Sequence, residues 1–98
     1  MSLSLKTNYI KLRLRDLTRF GRDDELTRLG QALKASCLRR LGTCKGTFHA
    51  MVTGPTEFKV TITANGDHER RAFIFDVIKL RSPRRPLAYS ALLVETRP

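Results

Sequence analysis

A two-residue alternation of apolar and polar side chains marks residues 9–15. This is the period of a β-strand, whose successive side chains leave on opposite faces. The pattern predicts a strand that buries Ile10, Leu12 and Leu14. Its other face then carries an aromatic ring and three cations: Tyr9, Lys11, Arg13 and Arg15. A helix is the alternative, because Ile10, Leu14 and Leu17 also fit the spacing of a helical face.

Residues 24–41 follow a helical period instead. Acidic residues occupy the expected first turn, basic residues occupy the last turn, and Gly42 follows it, as is typical of helix ends. One apolar stripe runs along the segment, made of Leu26, Leu29, Leu33, Cys37 and Leu41. Gly30 lies within this stripe, where glycine is unfavourable for a helix. Its presence indicates a close approach of the helix to a sheet.

Four further strands are predicted after the helix, at residues 47–53, 57–64, 70–81 and 87–94. Turn-forming residues separate them, among them Asn65-Gly66-Asp67, a strong hairpin signal. The apolar run within residues 70–81 has no polar face, which is typical of a central strand. The element order β-α-β-β-β-β predicts one α+β domain over residues 1–98. We expect an antiparallel sheet of about five strands with one amphipathic helix packed on one face.

The net charge of the chain indicates which kind of molecule it is expected to bind. The chain has 19 basic and 9 acidic residues and a formal net charge of +10, and 13 of the basic residues are arginine. Arginine offers a planar fork to phosphate and stacks on flat rings. A basic protein of this kind is attracted to nucleic acid, and the sequence leaves open whether the partner is RNA or DNA.

The candidate nucleic-acid-binding residues lie on the first strand, at both ends of the long strand, and in the loop that follows it. They are Tyr9, Lys11, Arg13, Arg15, Arg70, Arg71, Lys79, Arg81, Arg84 and Arg85. A sheet can align distant residues into one basic stripe, and Pro83 and Pro86 restrict the loop. Tyr9 and Tyr89 are candidates for base stacking or for the core. The alternative for the cations is a solvated surface that maintains solubility.

Catalytic and cofactor chemistry is not indicated by any spacing of residues. For the two histidines, His49 and His68, the sequence shows no residue at a recognisable spacing that would orient a catalytic imidazole. Cys37 and Cys44 are expected to be free thiols. We therefore expect no enzymatic activity, no metal and no cofactor. The rival interpretation is a metal-free ribonuclease centre, for which the candidate residues are Lys79, Arg81 and Tyr89.

These features predict a small non-enzymatic accessory or regulatory protein that contacts phosphates. The alternative is an adaptor or inhibitor, of the kind that phages, viruses and plasmids encode, docking on an acidic protein. A second copy of the chain, joined through strand edges, is a further candidate partner. The sequence contains no apolar run long enough to span a membrane, no secretory signal, and no exposed apolar helix that favours a lipid surface. We expect a cytoplasmic protein, in the host cytoplasm if a virus or phage encodes it.

Overall fold

The computed structural model describes residues 3–14, 22–80 and 87–98. Within these ranges the chain forms one helix and five strands in the predicted order. Their bounds are β1 Tyr9–Leu14, α1 Arg22–Leu41, β2 Gly46–Gly54, β3 Glu57–Asn65, β4 Arg70–Leu80 and β5 Leu87–Arg97. The strands form one antiparallel sheet in the spatial order β1-β5-β4-β3-β2. The predicted α+β fold is confirmed, with a strand rather than a helix at the beginning of the chain.

The first and last strands of the chain are neighbours in the sheet. β1 forms one edge and pairs with β5, so that Tyr9 lies opposite Leu92. β2 forms the other edge, and β4 lies at the centre, as its apolar run predicted. The hairpin turn between β3 and β4 is also present, and in it the Gly66 amide donates to the Glu69 carbonyl over 2.7 Å. This connectivity places the alternating basic strand at an edge of the sheet.

The helix packs across one face of the sheet, against β1, β2 and β3. It begins two residues earlier than predicted and ends at the predicted residue. Its most deeply buried side chains are those of Leu29, Leu33, Cys37 and Leu38. The first three belong to the predicted stripe, whereas Leu38 was not predicted. The buried side is therefore wider than the stripe in the sequence, as is usual for a helix lying on a sheet.

A Schellman motif ends the helix. Gly42 has a φ of 74°, a left-handed conformation that glycine adopts without steric cost. Its amide donates to the Arg39 carbonyl over 3.2 Å, and the Thr43 amide donates to the Leu38 carbonyl over 3.1 Å. These bonds satisfy carbonyl groups that have no partner within the helix, and they turn the chain towards β2.

Gly30 marks the close approach of α1 to β2 that the sequence predicted. A Cβ atom at this position would lie 2.3 Å from two ring atoms of Phe48, on β2. Real side chains do not tolerate such a distance, because carbon atoms pack best at about 3.5 to 4.0 Å. The glycine is therefore required by the aromatic ring that rests on the helix.

The two faces of the sheet differ in burial. The inner face, which carries α1, holds the core, and its largest fully buried side chains include Tyr89, Phe73, Phe75 and Ile10. The outer face is not covered by any element within the described ranges. Large apolar side chains are consequently exposed there, among them Tyr9, Met51, Ile78 and Leu80. The sheet thus separates one packed core from one open surface.

Candidate nucleic-acid interface

The outer face of β1 carries a row of three exposed side chains, Tyr9, Lys11 and Arg13, called here the β1 row. Burial alternates strictly along the strand, so that each member of the β1 row is exposed and Ile10, Leu12 and Leu14 are buried. The Tyr9 side chain is 54% exposed. Three apolar anchors in the core therefore fix an aromatic ring and two cations on one side of an edge strand, as the sequence predicted.

The neighbouring strand leaves the β1 row without an adjacent carboxylate. On β5, Ala88 lies opposite Arg13 and Ser90 lies opposite Lys11. Following the same cross-strand row, the first acidic residue beyond Lys11 is Glu57 on β3, three strands and about 14 Å away. Within the described ranges, neither Lys11 nor Arg13 forms an ion pair. Their charges are therefore directed at solvent and at any anionic ligand.

Two of the predicted site residues lie on the opposite face. Lys79 and Arg71 point to the inner face, because they share the alternation of Phe73, Phe75 and Val77 along β4. A carboxylate neutralises each of them. The Lys79 ammonium lies 2.9 Å from the Glu25 carboxylate, and the Arg71 guanidinium lies 2.6 Å from that of Glu69. The expected alignment of these cations with the β1 row is thus not present.

Arg70 lies on the outer face but at a distance from the β1 row. It pairs with Asn65 at the beginning of β4, whereas Ile78, eight residues further along β4, shares the cross-strand row of Lys11. Eight residues of strand span about 26 Å. The predicted single basic stripe is therefore divided into separate positions, of which the β1 row is the most compact.

The remaining predicted cations, Arg15, Arg81, Arg84 and Arg85, lie outside the described residues. The ends of β1 and β4 and the beginning of β5, which adjoin these residues in the sequence, lie together at one end of the sheet. Leu14 lies opposite Leu87, and Leu80 lies opposite Ala88. Arg13 lies opposite the same Ala88, so the chain leaves the described sheet beside the Arg13 end of the β1 row.

An open groove of about 610 Å³ continues the surface around the edge of β1 towards the helix. Its lining includes Arg13, Asp24, Arg28 and Gln31. Arg28 forms an ion pair of 3.1 Å with Asp24, so the net charge of the groove is lower than its two arginines suggest. The helical period puts Arg28 and Gln31 outside the apolar stripe of α1, but it does not indicate that they lie near β1.

A partly buried cluster of Glu25, Lys79 and Tyr89 joins the helix to β4 and β5. The Tyr89 hydroxyl donates to the Glu25 carboxylate, which also receives the Lys79 ammonium. Burial, together with the hydrogen bond to Glu25 and its charge, raises the pKa of Tyr89 well above its usual value. The ring is fully buried and packs edge-on against Phe58, with the centroids 6.0 Å apart.

The role of this cluster is structural, because it holds the helix against β4 and β5. Tyr89, considered for stacking on a base, is in the core and does not reach a ligand on the outer face. A tyrosine whose pKa is strongly raised is poorly matched to proton transfer near neutral pH. Two of the three residues considered for a metal-free ribonuclease centre, Lys79 and Tyr89, are hydrogen-bonded to Glu25. The third, Arg81, lies outside the described residues.

Other candidate chemistry is dispersed. His49 is exposed on β2, and His68 is exposed in the turn between β3 and β4. Among the described residues, no three His, Cys, Asp or Glu side chains are grouped as metal ligands would be. Both thiols are free, as predicted, and Cys37 is buried whereas Cys44 is exposed. In the same part of the chain, no helix is apolar over the length needed to span a membrane.

The sequence also did not reveal that the apolar outer side of β4 is open to solvent. It predicted burial on both sides of β4, yet the side chains of Ile78 and Leu80 are 51% and 43% exposed. The β1 row therefore borders an open apolar surface rather than a continuous basic one. Comparison with protein-family models, with curated proteins and with solved structures finds no match to this chain.

Proposed function

We propose that the protein binds nucleic acid, with the β1 row as its principal contact to phosphate. The observation that carries this proposal is the exposure of Lys11 and Arg13 side by side on an edge strand, with neutral neighbours on β5. Alternate residues on one face of a strand are separated by about 6.6 Å, close to the spacing of successive phosphates along one strand of nucleic acid. Tyr9, at the end of the row, supplies an exposed ring for a base.

The charge of the whole chain supports the same proposal. A net charge of +10 on 98 residues attracts a polyanion over long range and accelerates its association. The contacts expected from Lys11 and Arg13 are to the backbone of the nucleic acid, so they carry no sequence information. The activity that we propose is binding without cleavage, as an accessory or regulatory factor, with either RNA or DNA as the ligand.

The proposal is tested with two double variants that remove the same charge from different places. The test variant is Lys11→Gln with Arg13→Gln. The matched control is Arg70→Gln with Lys45→Gln, two exposed cations next to Asn65, at the opposite end of the sheet from Arg13. Affinity for short single-stranded and double-stranded RNA and DNA is measured by fluorescence anisotropy across a salt series.

We expect the test variant to lower the slope of log affinity against log salt by about 1.5, the loss of two phosphate contacts. Its affinity at about 0.1 M salt falls about ten-fold or more. The control changes the slope much less, since it removes long-range attraction but no contact. Equal slopes for the two folded variants, or no binding by the wild type at low salt, would refute the proposal. Capture of an acidic protein by nuclease-treated wild type, without affinity for nucleic acid, would favour the adaptor alternative.

A further inference from the structure

The two edges of the sheet are protected from a further strand to different degrees. At the β1 edge, Lys11 and Arg13 carry charges, which deter pairing with another chain. The Arg40 side chain also donates to the Tyr9 carbonyl over 3.1 Å and so occupies part of that edge. The other edge strand, β2, contains no Asp, Glu, Lys or Arg and no proline. The edge formed by β2 therefore lacks the features that keep sheet edges apart.

The free edge of β2 presents a row of backbone hydrogen-bonding groups. The Asn65 amide donates to the Lys45 carbonyl over 2.9 Å, so these two residues form a hydrogen-bonded pair between β2 and β3. Because such pairs alternate along an antiparallel ladder, Phe48, Ala50 and Val52 direct their N–H and C=O groups away from β3. No element within the described ranges pairs with that side of β2. A further strand would find donors and acceptors at regular spacing.

The hydrophobic core is also incomplete at this edge. Phe48, Ala50 and Val52 point to the inner face but are only partly buried, whereas the inward side chains of β1 and β3 are buried. The helix covers the Phe48 ring from above, where Gly30 faces it and the Lys34 ammonium lies 5.8 Å from its centroid. A strand added beside β2 would cover the part of these side chains that remains exposed.

The side chains of β2 favour a second copy of β2 as that strand. Its inward positions alternate small and large residues: Gly46, Phe48, Ala50 and Val52. When the strand is reversed about His49, Val52 lies opposite Gly46 and Ala50 lies opposite Phe48, so each larger side chain meets a small one. A strand without cations offers nothing to a nucleic acid. It also lets two copies with a net charge of +10 meet with fewer like charges in contact than β1 would.

We propose that two copies of the chain pair through β2 in antiparallel orientation, which joins two five-stranded sheets into one. The two-fold axis is perpendicular to the sheet and passes between His49 and the partner's His49. Phe48 then pairs with the partner's Ala50, and Gly46 pairs with the partner's Val52, through about eight backbone hydrogen bonds in total. Such an interface is isologous, with every contact made twice. The β1 rows lie at the two outer edges of the joined sheet, so both copies keep their contact surface for phosphate.

The first test uses a cysteine on the axis. His49→Cys is made in a Cys44→Ser background, which removes the exposed native thiol, and the nuclease-treated protein is oxidised with oxidised glutathione. The two position-49 residues form a non-hydrogen-bonded pair with Cα atoms about 4.5 Å apart, within the range that a disulfide spans. We expect most of the protein to run as a disulfide-linked dimer on a non-reducing gel.

The matched control is Met51→Cys in the same background. Met51 is exposed on the same face as His49, but the proposed register places it opposite the partner's Thr47. The two position-51 residues are then about 14 Å apart along the strands, too far for a disulfide. This variant should remain largely monomeric. Equal cross-linking of the two variants, or no cross-linking of His49→Cys, would overturn the proposal.

The second test blocks the edge without changing the pairing of β2 with β3. Ala50→Pro removes an amide that points to the free edge, a position where a strand accepts proline, whereas Ala50→Ser keeps it. In sedimentation of the nuclease-treated protein, the wild type should associate reversibly to twice the chain mass of 11.2 kDa. Ala50→Pro should weaken the dimer about ten-fold or more, since each dimer loses two hydrogen bonds, and Ala50→Ser should leave it intact.

Circular dichroism and urea denaturation establish whether Ala50→Pro is folded. A wild type that stays monomeric, or a folded Ala50→Pro protein that dimerises as well as Ala50→Ser, would contradict pairing through β2. If proline disrupts the fold, the two cysteine variants decide the proposal, because both substitutions lie on the exposed face of the strand.

Discussion

Gly30→Ala gives the sharpest test of how the helix lies on the sheet. In an ordinary exposed or loosely packed helix, this substitution stabilises by about 0.5 to 1 kcal/mol, since glycine loses more backbone freedom than alanine. Here the added methyl group would meet two ring carbons of Phe48 at 2.3 Å and a third at 3.1 Å. Rotation of the ring about its own axis does not relieve all three contacts. The ring or the helix must move by about 1 Å.

The magnitude follows from the two opposing effects. Inserting a methyl group into a packed contact costs about 1 to 3 kcal/mol, and contacts this short favour the upper part of that range. After subtraction of the gain in helix propensity, we expect Gly30→Ala to lower the free energy of unfolding by about 1 to 2 kcal/mol. For a domain of this size, that loss lowers the Tm by roughly 4 to 16 °C.

A double-mutant cycle removes the propensity effect. Gly30→Ala is measured by urea denaturation in the wild type and again in a Phe48→Ala background, where the ring is absent. Without the ring, Gly30→Ala should stabilise by about 0.5 to 1 kcal/mol. The difference between the two backgrounds, about 2 kcal/mol, is the coupling between helix and ring. A coupling near zero would show that α1 does not approach β2 at Gly30, and would refute the packing described here.

Four further predictions concern the core and the thiols. Leu33→Ala opens a cavity beneath the helix and should cost about 2 to 5 kcal/mol in urea denaturation, whereas a near-neutral result would contradict its complete burial. Tyr89→Phe removes the hydrogen bond to the Glu25 carboxylate and should cost about 1.5 to 3 kcal/mol. Burial raises the pKa of Cys37 to about 11 and raises that of Tyr89 also, so the native state retains protons that the unfolded chain loses. Stability should therefore fall as the pH rises above about 9, less steeply in Tyr89→Phe, and a flat profile would count against both shifts. In the native protein at neutral pH, a thiol reagent should modify Cys44 quickly and Cys37 only on unfolding, so equal rates would be inconsistent with the fold.

The sequence predicted the β1 row because strand alternation is a local property. Once Ile10, Leu12 and Leu14 are buried, the backbone geometry places Lys11 and Arg13 on the other face regardless of the rest of the fold. The helix and its glycine were predictable for a similar reason. The 3.6-residue period identifies the buried stripe, and a glycine within it indicates a neighbouring group that excludes a side chain.

The cations of β4 were not assigned to a face because their strand is apolar on both sides. The alternation that decides between faces is absent around Phe73 and Phe75, which are separated by another buried residue, Ile74. Counting in steps of two from Phe73 to Lys79 would have indicated the inner face. The pairing of Lys79 with Glu25 depends on how the helix is placed over the strands, and no local pattern encodes that placement. The same holds for the exposure of Ile78, since one helix covers only one face of a sheet.

The β1 row as the contact for nucleic acid is tested most directly by mapping where an oligonucleotide binds. In a ¹⁵N-labelled protein titrated with a short single-stranded oligonucleotide at low salt, the account predicts the largest amide shifts along Tyr9–Leu14 and at Ser90 on the adjacent strand. The amides around Lys45 and Arg70, equally basic but at the opposite end of the sheet from Arg13, should change little. Shifts concentrated at Lys45 and Arg70 with none on β1, or no shifts at all, would contradict the central claim.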